Sequence, residues 1–194
     1  MRFLVRLSNG RRYAPADTRR LTSLAYKAAQ VFGGDVGNLR VSSSAVELDL
    51  LIESKTNLEK AIEALEDSIG PSLTLRQLDV ESPPVENIEA IKLGLDLFNE
   101  ERYWESHEAL EFAWRRTLGP EKEILQAIIL LAVALVHLQK NELDITLSVM
   151  KRAYSKLTVC VGEHFSVEIP ALKENVARML SAGHPDFFKI ERKR

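Results

Sequence analysis

Phe3, Val5 and Leu7 alternate with Arg2, Leu4 and Arg6, the period of two that marks a strand with one face in a core. Asn9-Gly10 ends the pattern. Leu21, Leu24, Ala25, Ala28 and Val31 then recur at helical spacing behind Asp17 and Thr18, either of which suits an N-cap, and Gly33-Gly34 stops the run. Alternation returns over 39–42 and 46–52, joined by a serine-rich turn, with Val46, Leu48, Leu50 and Ile52 on one face and Glu47, Asp49 and Glu53 on the other. A second helix opens at Thr56 or Asn57, carries Leu58, Ile62, Leu65 and Ile69, and closes at Gly70-Pro71. A last strand spans 73–78.

The order strand, helix, strand, strand, helix, strand fits a ferredoxin-like βαββαβ domain: a four-stranded antiparallel sheet with both helices on one face and the other face open. The outward positions would be Arg2, Leu4 and Arg6 on the first strand and Glu47, Asp49 and Leu51 on the third. Those strands are neighbours in that topology, so arginine meets carboxylate across the sheet. That is a mixed-charge face for protein contact or solvent, and not the aromatic platform on which RNA-binding sheets stack bases.

Glu81-Ser82-Pro83-Pro84 breaks both periods and reads as a linker. The chain thus divides into a domain over 1–80, a linker over 81–86 and a five-helix antiparallel bundle over 87–194, an α+β protein whose second part is all-α. Ile88, Ile91, Leu95 and Phe98 mark the first helix of the bundle, and a second runs over 102–117. An apolar central helix covers 121–139, a fourth begins after Asn141 as cap, and a fifth begins at Pro170 and ends near Gly183. The charged tail 189–194 should fray.

Composition narrows the function classes. A net charge of −2 with 28% charged residues implies neither a nucleic-acid grip nor a membrane surface. Arg11, Arg12, Arg19 and Arg20 form a local basic cluster that reads first as a solvated edge, with a phosphate backbone as the alternative. The longest apolar run, Ile124 to Val136, falls short of the roughly twenty residues a bilayer needs. The N-terminus is too short and too interrupted by arginine for a secretory signal, so the chain is expected to stay in the cytoplasm. Cys160 is the only cysteine; it excludes an internal disulfide and reads as a small buried hydrophobe. A phosphate-binding loop and a serine nucleophile elbow are both lacking. His164 and His184 lie beside loop signals and are expected in solvent.

The candidate chemistry lies in the second helix of the bundle, Tyr103-Trp104-Glu105-Ser106-His107-Glu108-Ala109-Leu110-Glu111-Phe112-Ala113-Trp114-Arg115. Trp104, His107, Glu108, Glu111, Trp114 and Arg115 share about a third of the helix circumference. Gln126 and His137, eleven residues apart on the apolar helix, share a stripe with Leu130 and Val133. Burying either stripe alone would cost several kcal/mol per unpaired group. The expectation is therefore that the two face each other in a buried cluster of His107, Glu108, Glu111, Arg115, Gln126 and His137.

Phe98-Asn99, Tyr103-Trp104-Glu105, His107-Glu108, Leu110-Glu111, Trp114-Arg115, Leu125-Gln126 and Ala132 to His137 closely resemble the small helical family catalogued as domain of unknown function 309, over roughly 88–158. The resemblance implies a compact helical bundle with no established activity, grouped with metal-dependent hydrolases on the motif alone. The chain departs from the family where Glu101 and Ala127 stand in place of frequent glycines.

Two chemistries follow from the residues. A buried hydrogen-bond network, or an indole-walled pocket for a small polar or cationic ligand, is the leading reading. The alternative is metal-dependent hydrolysis: His107-Glu108-Ala109-Leu110-Glu111 is a relative of H-E-x-x-H, so His107, Glu111 and His137 would hold zinc, iron or manganese and Glu108 would act as base. A homo-oligomer is compatible with the sequence.

Overall fold

The structure is a computed structural model that describes residues 1–79, 86–160 and 163–192. The linker expected over 81–86 lies outside the described residues, apart from its last position. Two compact units emerge, Met1–Pro83 with Gln139–Asn141, and Pro84–Leu138 with Glu142–Arg194. None of the described helices is long and apolar enough to cross a membrane.

The first unit holds β1 (Arg2–Ser8), a short 3-10 turn (Pro15–Asp17), α1 (Thr18–Gln30), β2 (Asp35–Val41), β3 (Ala45–Leu51), α2 (Lys55–Ser68) and β4 (Ser72–Gln77). The strands form one sheet in the order β2-β3-β1-β4, each pair antiparallel. Phe3, Val5 and Leu7 stand opposite Leu50, Leu48 and Val46, and these residues pack with Leu21, Ala25 and Ala29 of α1 and Ala61 and Leu65 of α2. Gly33 turns the chain out of α1 in the left-handed region (φ 73°).

The opposite sheet face differs from the expected open surface. Leu4, Arg40, Glu47 and Asp49 are each no more than 2% exposed. The arginine-to-carboxylate pairing is present: Arg2 Nη2 lies 2.6 Å from Asp49 Oδ2 and Arg6 Nε 3.3 Å from Glu47 Oε1. Arg40 completes the lattice, 3.4 Å from Glu47 and 3.6 Å from Asp49, and Asn38 Nδ2 donates to Asp49 at 2.8 Å. Arg40 reaches this face because the register of β2 shifts between Gly37 and Arg40, with Asn38 at φ 50°, which brings Arg40 opposite Glu47.

The second unit holds α3 (Asn87–Asn99), α4 (Tyr103–Trp114), α5 (Pro120–Gln139), α6 (Leu143–Thr158), the hairpin β5 (Glu163–His164) and β6 (Val167–Glu168), and α7 (Ile169–Ala182). The all-α expectation is corrected by that hairpin, whose turn residues Phe165 and Ser166 are both left-handed (φ 55° and 62°). α5 is buried almost all round, through Ile124, Leu125, Ala127, Ile128, Leu131, Ala132, Ala134 and Leu135. Asn141 does not cap α6; it takes a left-handed turn at φ 61°, and Glu142 holds the cap position.

Of the charged tail 189–194, where fraying was expected, residues 189–192 are described and are held in place. Ile190 is 3% exposed and Asn99, the last residue of α3, bonds both its main-chain groups: Nδ2 to the carbonyl at 3.0 Å and Oδ1 from the N–H at 2.7 Å. Arg192 pairs with Asp96 and bridges to Val167.

Arg40 is itself buried and pairs with both buried carboxylates, Glu47 and Asp49, so its loss breaks two ion pairs at once. Arg40→Met should therefore lower the unfolding free energy by about 3–5 kcal/mol, measured by urea denaturation, whereas Arg2→Met, at the exposed rim, should lower it by less than about 1 kcal/mol.

Candidate functional site

α4 is placed by the chain before it and by its contact with α3. Glu101 turns between the two helices in the left-handed region (φ 61°), and its N–H donates to Phe98 O at 3.0 Å. Arg102 then grips Glu105 with both arms, Nε to Oε2 at 2.7 Å and Nη2 to Oε1 at 2.9 Å, and Nη1 reaches Glu100 at 3.1 Å. These bonds, above all that with Glu105, hold the Arg102 guanidinium well above its usual range. Ser106 Oγ donates to Gly94 O on α3 at 2.7 Å, and a Cβ on Gly94 would stand 2.5 Å from Leu110 Cγ. The helices cross as closely as glycine permits.

That contact selects the buried stripe. Tyr103, Glu105, Ser106, Leu110 and Ala113 face inward. Burial, then the carboxylates of Glu101 and Asp186, pushes the Tyr103 hydroxyl far above the usual phenol range. The stripe carrying the sequence motif lies to one side and is not buried. Glu108 and Arg115 are exposed, and Trp104, His107, Glu111 and Trp114 are half-buried. The expected inward cluster fails on this point, because small Ser106 and Ala113 allow the α3 contact while two indoles do not, and charged groups outside the core avoid desolvation.

On the half-exposed face the polar side chains pair along their own helix. Arg115 Nη2 donates to Glu111 Oε1 at 2.7 Å, and His107 Nε2 lies 3.7 Å from Glu111 Oε2, both at the i, i+4 spacing. The imidazole of His107 lies against Trp104, ring centroids 5.5 Å apart and tilted by 32°. Lys122 Nζ sits 4.6 Å above the Trp114 ring, and Arg116 lies 3.6 Å from the Phe112 centroid. His107 Nδ1 and Trp114 Nε1 are shielded from solvent, and no described residue bonds them.

The two polar residues of α5 do not join this face. His137 Nδ1 is 2.5 Å from Glu142 Oε2, where it closes the turn into α6, and no hydrogen bond or ion pair links Gln126 or His137 to His107, Glu108, Glu111 or Arg115 among the described residues. Nor do the described residues contain a group of three or more His, Cys, Asp or Glu placed to hold a metal ion.

Elsewhere, two members of the basic cluster are already engaged. Arg11 donates to the carbonyls of Asp67 and Ser68 at the end of α2, at 3.2 and 3.1 Å, and Arg20 pairs with Asp17 at 2.9 Å. The Ala14 N–H and then Arg20 hold the Asp17 carboxyl below its usual range. Cys160 is half-buried, its thiol bonded to Lys156 O at 3.3 Å and pushed up by desolvation and Glu123. His164 lies half-buried in β5, while His184 is exposed.

Asp96, Asn99 and Arg102 make contacts that periodicity did not single out, with Arg192, with the main chain of Ile190 and with Glu105. The signal present was Phe98-Asn99 at a helix end, where an amide can bond a neighbouring main chain. Residues 91–149 match the model of the family described as Domain of unknown function (DUF309), which takes in most of α3, all of α4 and α5, and the start of α6. No curated protein matches the chain.

The α3–α4 contact makes two tests. Gly94→Ala gains about 1 kcal/mol of helix propensity but overpacks against Leu110 by about 1–3 kcal/mol, so thermal denaturation should show net loss. In a cycle with Leu110→Ala the two changes should be non-additive, the double variant recovering at least about 0.5 kcal/mol. Glu101→Gly should instead raise stability by up to about 1 kcal/mol, since it relieves a left-handed side-chain residue.

Proposed function

We propose that the second unit is a non-catalytic recognition module, and that its seat is the half-exposed face of α4 formed by Trp104, His107, Glu108, Glu111 and Trp114. The carrying observation is that both tryptophans of the chain share a half-exposed helix face with the carboxylates of Glu108 and Glu111. Glu108 and the indole faces suit a small organic cation, and Lys122 already places an ammonium over Trp114 from within the chain. The first unit is read as a ferredoxin-like module over 1–80, joined through 81–86 to the helical module over 87–194. The sheet order β2-β3-β1-β4 with α1 and α2 in a common core supports that reading. A cytoplasmic setting accords with the lone cysteine.

Metal-dependent hydrolysis, with His107, Glu111 and His137 as ligands and Glu108 as base, keeps one support in the 3.7 Å approach of His107 Nε2 to Glu111 Oε2. Two donors are short of a site. Arg115 is already bonded to Glu111, and His137 to Glu142, so the residues as placed do not fit the ion.

Both indoles lie on the proposed seat, so intrinsic tryptophan fluorescence reads it alone. Titration with choline and with spermidine should give a saturable change that Glu108→Gln weakens by about tenfold and Trp104→Ala abolishes. No saturable response to either cation would overturn the seat. Elemental analysis of protein purified without chelator or affinity metal separates the alternative: stoichiometric zinc, iron or manganese, lost in Glu111→Ala, would favour the hydrolase.

A further inference from the structure

The segment Phe187–Arg192 runs extended beside the end of α3, and its contacts read like those of a bound peptide. Asn99 bonds both main-chain groups of Ile190, at 2.7 and 3.0 Å, a recognition of backbone and not of side chain. The Ile190 side chain is buried. The Phe188 ring meets Phe98 edge-on with centroids 5.4 Å apart, and Phe187 meets Tyr103 at 6.0 Å. One turn before Asn99, Asp96 takes the Arg192 guanidinium, and the Arg192 main chain bridges to Val167 of β6. Thus a backbone clamp, an aliphatic socket, an aromatic edge and an acid receive four successive features of one short segment.

The reading residues and the segment read have different standing in the chain. Asp96, Phe98, Asn99 and Tyr103 fall within the 91–149 family match, whereas Phe187–Arg192 lies outside it. The hold is shallower than that of the core: Ile190 is buried and Phe187 and Phe188 are half-buried against the core, while Lys189, Glu191 and Arg192 are exposed. Gly183, left-handed at φ 65°, caps α7, and Pro185 follows it, so the segment lies outside the helix. A segment held by one buried side chain and two half-buried rings opens at less cost than the core it rests on.

We propose that Asp96, Phe98, Asn99 and Tyr103, with the edge of β6, form a recognition groove for an extended peptide of the pattern Phe-Phe-x-Ile-x-Arg, filled in cis by residues 187–192 and able to receive the same segment from a second copy of the chain. The exchange preserves every contact, including the Arg192–Asp96 charge pair, which is the condition for a swap between identical copies. The proposal stands apart from the α4 seat.

A fluorescein-labelled peptide of residues 184–192 serves as the second copy's segment, followed by anisotropy on the full chain. The cis segment competes at high effective concentration, so the full-length Ile190→Asp variant, its own segment released, should bind the peptide at least about tenfold more tightly than the unaltered chain. Asn99→Ala added to that variant should erase binding. Mixing a full-length Asn99→Ala chain with a full-length Ile190→Asp chain should give a heterodimer on size exclusion that neither forms alone. A folded Ile190→Asp chain that binds no better than the unaltered one, or an absence of heterodimer, would overturn the proposal. Should Ile190→Asp fail to fold, native-state hydrogen exchange decides: the Ile190 amide of the unaltered chain should exchange at least about tenfold faster than the amides of α5, and equal protection would overturn it.

Discussion

Gly94 lets α4 approach α3 until Leu110 fills the space a side chain on Gly94 would take, and Ser106 bonds the carbonyl exposed there. A helix held that closely on one side cannot turn its other residues inward. From this contact follows the division of α4 into a packed stripe of Tyr103, Ser106, Leu110 and Ala113 and a half-exposed one of Trp104, His107, Glu108, Glu111 and Trp114. The two faces do different work. The packed stripe, with Arg102 on Glu105 at its start, sets the position of the helix; the other stripe is left to chemistry with something outside the core.

The exposed face is organised along the helix and not across helices. Arg115, Glu111 and His107 form a chain at successive i, i+4 steps, each pair worth only a few tenths of a kcal/mol on an exposed helix surface. Such a ladder orients side chains without stabilising the fold appreciably. What it leaves is a face on which the His107 imidazole lies against Trp104, with Trp114 about two turns further along the helix. Of the three side chains that a metal would need, His107 and Glu111 lie on this face, while His137 is bonded to Glu142.

Most elements were legible because alternation and helical spacing report burial directly: the six elements of the first unit and the helices of the second all appear in the expected order. The face of α4 was not. Its buried and exposed stripes are offset by a single residue, and Trp104 and Trp114 pull the apparent apolar direction toward the stripe that in fact stays half in water; large indoles are seldom fully buried. Arg40 was missed because its orientation depends on the register shift at Gly37 and Asn38, for which that Gly-Asn pair within a strand was the available mark. The hairpin at 163–168 lacks the usual signature, since Phe165 and Ser166 take left-handed conformations that Asn and Gly normally supply. The ordered tail rests on Asn99, ninety-one positions away, and such a contact leaves no local trace.

Thiol labelling along α4 tests the division of that helix most directly. Single cysteines introduced at 106, 107, 108, 110, 111 and 113 in a Cys160→Ser background report which side of the helix water reaches. The account predicts fast reaction with iodoacetamide at Glu108→Cys, intermediate reaction at His107→Cys and Glu111→Cys, and protection at Ser106→Cys, Leu110→Cys and Ala113→Cys. Protection at 107, 108 and 111 with ready reaction at 106, 110 and 113 would turn the helix around and contradict it.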